Sequence, residues 1–453
     1  MAVVDLVLKQ GRLATETGLL EAGVAIDERK IVSISKTSRL PKATKVIDCR
    51  GKIVLPGVID AHVHIFSPGW LGETFRSGTR AAAVGGVTAL LDMPSEDPYA
   101  STSVQRFERK RAFAQREAYV NFGLYGGEIE KLAHARAIPS LARCGAVGFK
   151  MITGGPGYVT EDVLLEAFRR IKSADSVAVV HAENRELIDY YASLAREKGR
   201  VDPVAFSEFR PSIVEEEAAR RVTLYGSLCR NRLHLAHLTS EAGVKVAWTA
   251  KAAGVRVTAE TCPHYLLLSE KDYRKYRHLM VVTPPIKKNT DLQALWKGLN
   301  DRTIDLVASD HCAYYRNDKD RGARSVWATP PGMPGLETTV ALLLSEGVNK
   351  SRITLRRLIQ LISEAPARIF GLYPLKGTIK QGSDADLTIV DMRIRHKIDS
   401  ERFECAGNFS PFDGWRLKGA PVMTIVRGQV VAEDGQVVGS EGWGHFVKPG
   451  KRL

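Results

Sequence analysis

The 453-residue sequence lacks the features that mark membrane-spanning and secreted proteins. No uninterrupted apolar run approaches the roughly 20 residues that a membrane-spanning helix needs. The first residues show no basic segment followed by an apolar one and a cleavage site, so they predict no signal peptide. The six cysteines are scattered without a Cys-x-x-Cys pair, which indicates free thiols in a reducing compartment. We therefore expect a cytoplasmic protein that has no membrane partner.

Acidic residues are fewer than basic ones, with 51 aspartates and glutamates against 65 lysines and arginines, and the net charge is +14. A basic chain can bind nucleic acid or attract anionic ligands. Here the cations are dispersed in short clusters, and no dense basic run alternates with aromatic residues, which make up only 7% of the chain. We therefore expect a solvated basic surface and no nucleic-acid partner.

The order of apolar and amphipathic segments predicts two domains. Residues 1–52 show short alternating strands with turns, and strand patterns return after residue 371. Between them, eight apolar segments alternate with helix-like ones, which is typical of a parallel sheet. Eight such units over roughly 320 residues fit a (β/α)8 TIM barrel. No Gly-x-Gly-x-x-Gly follows the first strand, which argues against a dinucleotide-binding sheet.

We predict an α/β protein in which residues 53–370 form the TIM barrel. Residues 1–52 and 371–453, including the C-terminal tail, form a small β-sandwich domain built from both chain ends. The predicted barrel strands are 53–59, 87–92, 119–125, 146–152, 177–181, 233–238, 255–260 and 304–309.

Polar side chains stand where five of the predicted barrel strands end. In a (β/α)8 barrel, functional residues gather at the C-terminal ends of the strands. The first strand runs into His62 and His64, which are two residues apart and therefore point to one face. The other four strand ends carry Lys150, His181, His237 and Asp310. Taken together, the six residues predict a metal centre.

The types of these side chains indicate the metal. Histidine and carboxylate ligands suit zinc, and manganese, cobalt or iron is also compatible with them. Six ligands are too many for one tetrahedral ion with an open position, so we expect two divalent ions that share a bridge. A lysine amine is a poor bridge between two cations.

Longer motifs surround these residues. They are residues 56–64 (PGVIDAHVH), 78–88, 148–151 (GFKM), 181–184 (HAEN), 262–266 (CPHYL), 284–287, 309–311 (SDH), 376–379, 382–387 and 410–414. Through them, nearly the whole chain resembles the cyclic amidohydrolase branch of the amidohydrolase superfamily. That branch comprises hydantoinases and dihydropyrimidinases, allantoinases and dihydroorotases.

The resemblance implies a role for each candidate ligand. The two histidines of the first strand and Asp310 would hold one metal ion, and His181 and His237 would hold the other. Lys150, carboxylated by carbon dioxide to N6-carboxylysine, would bridge the two. A hydroxide between the ions would attack the carbonyl of a cyclic amide or ureide. Asp310 would take its proton and pass it to the leaving ring nitrogen.

Two positions help to distinguish the ring that is opened. Dihydroorotases carry a carboxylate-gripping arginine two residues after the second histidine, where this chain has Phe66, and their asparagine corresponds to Ser95. We therefore predict a hydantoinase-like enzyme acting on hydantoin, a 5-substituted hydantoin or a dihydropyrimidine-like ring. Allantoinase is the alternative, and dihydroorotase is less favoured. The predicted substrate contacts are Phe66, Ser95, Tyr158, His264, Pro285, Tyr314 and Gly335.

Two further expectations concern regulation and assembly. Residues 312–334 form a long segment after the last ligand, and segments of this length are usually functional, here as a lid. The resemblance also suggests a homo-oligomer, a tetramer or a dimer. A non-catalytic scaffold relative is a different class of protein, but such relatives lack the metal ligands, whereas all six are present here.

Overall fold

The computed structural model describes residues 3–66, 72–94 and 100–450. The strands are β1 (Val4–Thr15), β2 (Gly18–Asp27), β3 (Lys30–Ser35), β4 (Ala43–Asp48), β5 (Ile53–Pro56), β6 (Val58–His64), β7 (Val87–Asp92), β8 (Asn121–Leu124), β9 (Phe149–Ile152), β10 (Val177–His181), β11 (Arg232–Leu235), β12 (Val257–Thr261), β13 (Leu306–Val307), β14 (His311–Cys312), β15 (Leu387–Lys397), β16 (Arg416–Val426), β17 (Gln429–Glu433) and β18 (Gln436–Val437).

The α-helices are α1 (Phe75–Val84), α2 (Val104–Glu117), α3 (Leu132–Cys144), α4 (Glu161–Ser173), α5 (Arg185–Glu197), α6 (Val204–Glu208), α7 (Ser212–Cys229), α8 (Glu241–Ala252), α9 (Pro263–Leu267), α10 (Tyr273–Tyr276), α11 (Asn289–Asn300), α12 (Arg316–Asp320), α13 (Thr339–Leu342), α14 (Leu355–Ile359) and α15 (Ala365–Ile369). Two π-helical segments, Leu343–Val348 and Gln360–Glu364, continue α13 and join α14 to α15. Within the described ranges, no helix combines the length and the apolar composition that crossing a bilayer requires.

The central strands form a closed parallel barrel. One sheet runs β14-β6-β7-β8 and another runs β9-β10-β11-β12-β13. A parallel bridge between Gly126, just after β8, and Phe149 of β9 joins the two sheets at one junction. At the other junction, β14 follows β13 directly in the chain and pairs with β6, the first barrel strand. Strands such as β7 and β10 are buried along their whole length, because helices cover their outer face. The predicted TIM barrel is confirmed.

The first predicted strand, residues 53–59, is divided between two sheets. Ile53–Pro56 pairs with β1 and β15 outside the barrel, and only Val58–His64 enters the barrel. Gly57 lies at the crossing, where a Cβ would collide with Thr88 Oγ1 and with Asp386. The prediction of one continuous strand was therefore wrong, because the apolar run passes from one sheet to the other at Gly57.

The remaining strands come from both chain ends and form one sheet of nine strands, which we call the chain-end sheet. Its order is β18-β17-β16-β15-β5-β1-β2-β3, with β4 paired to β1. Alternate side chains of its two halves pack into a common core that includes Leu8, Val24, Ile26, Leu387 and Ile425. The predicted association of the two chain ends is confirmed. The residue bounds proposed for the two domains stay a prediction.

The C-terminal segment packs against the start of the third barrel strand. Phe122 N donates to His445 O at 3.0 Å, and Val447 N donates to Phe122 O at 2.8 Å. The ring of Phe446 lies 5.7 Å from that of Phe122 and 6.1 Å from that of Phe107. Residues after the chain-end sheet therefore cover the N-terminal end of a barrel strand.

Candidate metal centre

The six predicted ligands lie together at the C-terminal end of the barrel. β6 ends at His64, Lys150 lies on β9 and His181 ends β10. His237 follows β11, and Asp310 lies between β13 and β14. Since parallel strands of a barrel end at the same rim, residues far apart in sequence meet there.

The first group of ligands gathers around one carboxylate. Asp310 Oδ1 lies 3.2 Å from His62 Nε2 and 3.5 Å from His64 Nε2. The Lys150 amine lies 3.4 Å from the same His62 Nε2. A carboxylate oxygen, two imidazole nitrogens and an amine thus converge on one point.

The second group adjoins the first. His181 Nδ1 lies 2.9 Å from His237 Nε2, and the His62 and His237 rings stack with their centroids 5.3 Å apart. The ligand atoms of His62, His237 and Asp310 all lie within 4.8 Å of one another. The donor set is rich in nitrogen and oxygen lone pairs that face the same small volume, which fits divalent metal ions.

Two of these residues have an unusual backbone. Asp310 has a φ of 49° and His237 a φ of 32°, in the left-handed region that non-glycine residues rarely adopt. Such conformations cost on the order of 1–3 kcal/mol each and persist where the surrounding structure holds them. The fold thus maintains local strain at the points where these side chains enter the centre.

Two buried glutamates hold the outer nitrogens of the ligand histidines. Glu260 is hydrogen-bonded to His62 Nδ1 and, at 3.1 Å, to His234 Nε2. Glu183 Oε2 lies 2.8 Å from His181 Nε2 and forms an ion pair with Arg210. A carboxylate on one ring nitrogen leaves the lone pair of the other nitrogen directed inward, as metal binding requires.

These supporting residues were missed by the sequence analysis. Glu183 lies inside the 181–184 motif, and Glu260 precedes the 262–266 motif by two residues. The two motifs were therefore the sequence signal that could have drawn attention to these glutamates. Their partners could not be read from spacing, because Glu260 and His62 are 198 residues apart.

Burial sets the protonation of the centre. It lowers the pKa of the Lys150 amine, and it likewise lowers the pKa values of His62, His181 and His237. The pKa of Asp310 is well below its usual value: burial opposes ionisation, but the facing histidines outweigh it. An ionised carboxylate, neutral imidazoles and a shift toward the neutral amine are the forms that ligate metals.

A cavity of about 300 Å³ opens onto the centre. All of the ligands except the fully buried His62 line it, together with Glu128, Arg210 and Thr283. Ile152, Val282 and several proline and glycine residues complete its walls. The cavity is large enough for a small ring and is lined by both polar and apolar groups.

The predicted substrate contacts are scattered around this cavity, and none of the described ones is among its lining residues. His264 lies close to the metal centre, since one of its ring nitrogens is within 4.8 Å of Cys262 Sγ and of a carboxylate oxygen of Asp310. The Phe66 ring packs against the Phe75 ring, with the two centroids 5.2 Å apart. Tyr158 lies at the surface and is 44% exposed. Their role in substrate binding stays a prediction.

The other three described contacts do not line the cavity, but each lies close in the sequence to a cavity residue or contacts a residue next to the centre. Tyr314 is 2% exposed, and Pro285 is buried next to the cavity residue Thr283. Gly335 N donates to His311 Nδ1 at 3.1 Å. Ser95, the seventh predicted contact, lies outside the described residues.

The long segment after Asp310 is tied to the cavity wall. Lys319, on α12, is fully buried, and its amine donates to the carbonyls of Val281, Pro330 and Gly332 at 2.9 Å each. Three bonds require the protonated amine. Lys319 therefore links the two segments that form one side of the cavity, while the predicted role of 312–334 as a lid stays untested.

Comparison with known proteins agrees with this geometry. A model of the amidohydrolase family matches residues 53–431. The L-hydantoinase of Paenarthrobacter aurescens is 37% identical over 450 residues, which cover 98% of each protein. The dihydroorotase of Methanothermobacter thermautotrophicus is 36% identical over 431 residues, which cover 94% of each.

A solved structure has the same fold over nearly the whole chain. The L-hydantoinase (dihydropyrimidinase) from Arthrobacter aurescens matches with a TM-score of 0.95 at 36% identity, covering 98% of this chain and 100% of that one. These comparisons confirm the predicted resemblance and the predicted class of enzyme. The chain therefore belongs to the amidohydrolase family, whose members bind divalent metal ions, and is a cyclic amidohydrolase.

Proposed function

We propose that the protein hydrolyses the ring amide of a hydantoin, a 5-substituted hydantoin or a dihydropyrimidine-like ring. The observation that supports this most directly is the convergence of six candidate ligand side chains, five of which line a cavity of about 300 Å³. The L-hydantoinase that is 37% identical over nearly the full length supports the choice of ring.

The proposed cofactors are two divalent metal ions, with zinc first and manganese, cobalt or iron as alternatives. His62, His64 and Asp310 would hold one ion, and His181 and His237 the other. Bound there, the ions would polarise a ring carbonyl and make water a nucleophile at neutral pH.

Lys150 is proposed as the bridging ligand in its carboxylated form. The burial that lowers the pKa of its amine favours the neutral form, which can add to carbon dioxide. The addition forms an N–C bond and releases one proton, so that a carbamate anion replaces the amine. That anion offers two oxygens to the two metal positions.

Asp310 is proposed as the group that moves the proton. Its carboxylate is ionised at neutral pH, because nearby histidines keep its pKa well below the usual range. It would accept a proton from the attacking water and donate it to the ring nitrogen that leaves.

One residue and the similar proteins indicate which ring is opened. Phe66 cannot pair with a substrate carboxylate, and it packs against Phe75. This disfavours dihydroorotate, although a dihydroorotase is 36% identical to the chain. The hydantoinase relative and the hydantoinase structure favour hydantoinase over the allantoinase alternative. A cytoplasmic location and a homo-oligomer, tetramer or dimer, remain proposals.

Metal analysis and a substrate panel test the proposal. The purified protein should contain about two equivalents of divalent metal and should open 5-substituted hydantoins faster than allantoin or dihydroorotate, with hydantoin and dihydrouracil completing the panel. Fastest turnover of allantoin would replace hydantoinase with the alternative. If the protein bound no metal and hydrolysed none of these rings, the non-catalytic scaffold alternative would be favoured.

A further inference from the structure

A second large cavity lies at the opposite end of the barrel from the metal centre. It has a volume of about 460 Å³ and lies between the chain-end sheet, the segment after α15 and the C-terminal segment. Asn121, the first residue of β8, forms part of its wall, whereas the metal ligands lie at the C-terminal ends of the strands. We call this cavity the basic cleft. Its cationic lining residues are Arg29, Lys30, Lys376, Arg427 and Lys448.

The carboxylates in the basic cleft do not balance these cations. Glu28 and Asp384 are its acidic lining residues, and Asp384 is already bonded to Lys30 at 2.5 Å and to Lys376 at 2.9 Å. Within the part of the chain that the structure describes, the other three cations form no ion pair with a carboxylate. These three are Arg29, Arg427 and Lys448.

The unpaired cations act on one another. The Arg29 and Arg427 guanidinium groups lie 5.4 and 5.0 Å from the centroid of the same Trp443 ring. Burial and the neighbouring Arg29 lower the pKa of Arg427. The pKa of His445, another lining residue, is lowered by burial and then by Arg427 and Lys376. The cleft therefore has a positive potential that a bound anion would relieve.

We propose that the basic cleft binds the phosphate group of a small molecule. Guanidinium groups match phosphate oxygens with paired hydrogen bonds, and two of them lie here with a free lysine. A volume of about 460 Å³ exceeds what one phosphate ion fills, and Tyr373 and Phe446 add aromatic surface to the walls. A phosphorylated compound of nucleotide size therefore fits better than the bare ion. The site is independent of the proposed reaction.

Calorimetric titration of the metal-loaded enzyme tests the proposal, with inorganic phosphate and adenosine 5′-monophosphate as probes. We expect saturable binding of the nucleotide at one site per chain, tighter than that of phosphate and weakened by salt. The double variant Arg29→Ala/Arg427→Ala should weaken binding at least tenfold, and Lys448→Ala should weaken it less. Arg12→Ala, which removes an exposed arginine elsewhere on the chain-end sheet, is the matched control.

Trp443 provides a second readout beside the basic cleft, because it contacts two of the lining arginines although it does not line the cleft itself. Both guanidinium groups lie against its ring, so binding should change its fluorescence, and Trp443→Phe should abolish that signal while calorimetric binding persists. Equally tight binding of phosphate and nucleotide would support the basic cleft as a phosphate-binding site, with free phosphate as its ligand. Absence of saturable binding would overturn the proposal. It would also be overturned if the double variant still bound the probe and this binding disappeared when metal was removed, because the probe would then bind at the metal centre.

Discussion

Glu183 Oε2 lies 2.8 Å from His181 Nε2, on the side of the ring opposite the nitrogen that faces His237. The same carboxylate is ion-paired with Arg210, which lines the cavity, and its pKa is lowered to about 2 because Arg210 and His181 outweigh its burial. The glutamate is therefore ionised throughout the working range, and it orients a ligand histidine while it neutralises a cation in the cavity wall.

Replacing Glu183 should weaken metal binding more than it weakens the fold. Glu183→Gln keeps the shape but loses the charge that makes His181 a stronger ligand, and such outer carboxylates are typically worth about 10–100-fold in metal affinity. A competition titration with a chelator measures the change. Glu186→Gln, an exposed position on α5, is the control. Metal affinity unchanged from that of the control would contradict the assigned role.

Lys150→Ala should lose the bridge between the two metal positions. We expect a drop in bound metal and loss of ring opening, because the variant lacks the amine that would be carboxylated to bridge the two metal positions. Adding a short carboxylic acid should restore part of both, since it can fill the vacated volume with a carboxylate. For the unchanged enzyme, metal reconstitution should be faster with added bicarbonate. Indifference to bicarbonate would count against the carboxylated lysine.

Asp310→Asn should keep the fold and lose turnover. The amide cannot accept a proton, so we expect kcat to fall by at least about a thousandfold, in the range seen when an acid–base group acts together with an electrostatic one. Circular dichroism and metal content check that the variant is folded and loaded. Asp189→Asn, whose carboxylate lies on the surface of α5, should retain normal kcat. Substantial turnover by the Asp310 variant would exclude it as the proton carrier.

Glu337 should make stability depend on pH. Burial raises its pKa to about 8, above that of an unfolded glutamate. Between about pH 4.5 and 8 the folded state therefore binds more protons than the unfolded state. Each pH unit in that window then costs about 1.4 kcal/mol of unfolding free energy. The stabilising contribution of protonated Glu337 is complete below about pH 4.5 and is lost as the pH rises through 8.

Glu337→Gln should remove this dependence. The amide keeps an acceptor for the backbone N–H groups of Glu404 and Cys405, so the variant should match the unchanged protein at low pH and exceed it in stability at pH 9. Denaturant unfolding at several pH values gives the comparison, with the exposed Glu401→Gln as control. A parallel pH profile for the variant and the unchanged protein would refute the raised pKa.

Much of the metal centre could be predicted because its geometry repeats a local rule. Each candidate ligand stands within a few residues of the C-terminal end of an apolar strand, and in a parallel barrel all such ends meet at one rim. His62 and Asp310, 248 positions apart in the numbering, could therefore be placed together without knowing the fold in detail. The same rule says nothing about partners from other positions, and so Glu183, Glu260 and Lys319 were not anticipated.

By itself, the sequence determined the alternation of strands and helices, the association of the two chain ends and the grouping of the six candidate ligands, because these depend on periodicity and on the order of segments. Only the tertiary structure decided that the first apolar run divides at Gly57, that glutamates orient His62 and His181, and that Arg29 and Arg427 meet over Trp443. Those outcomes depend on how distant segments pack. Close packing and charge pairing act between neighbours in space, whose identity the linear pattern does not contain.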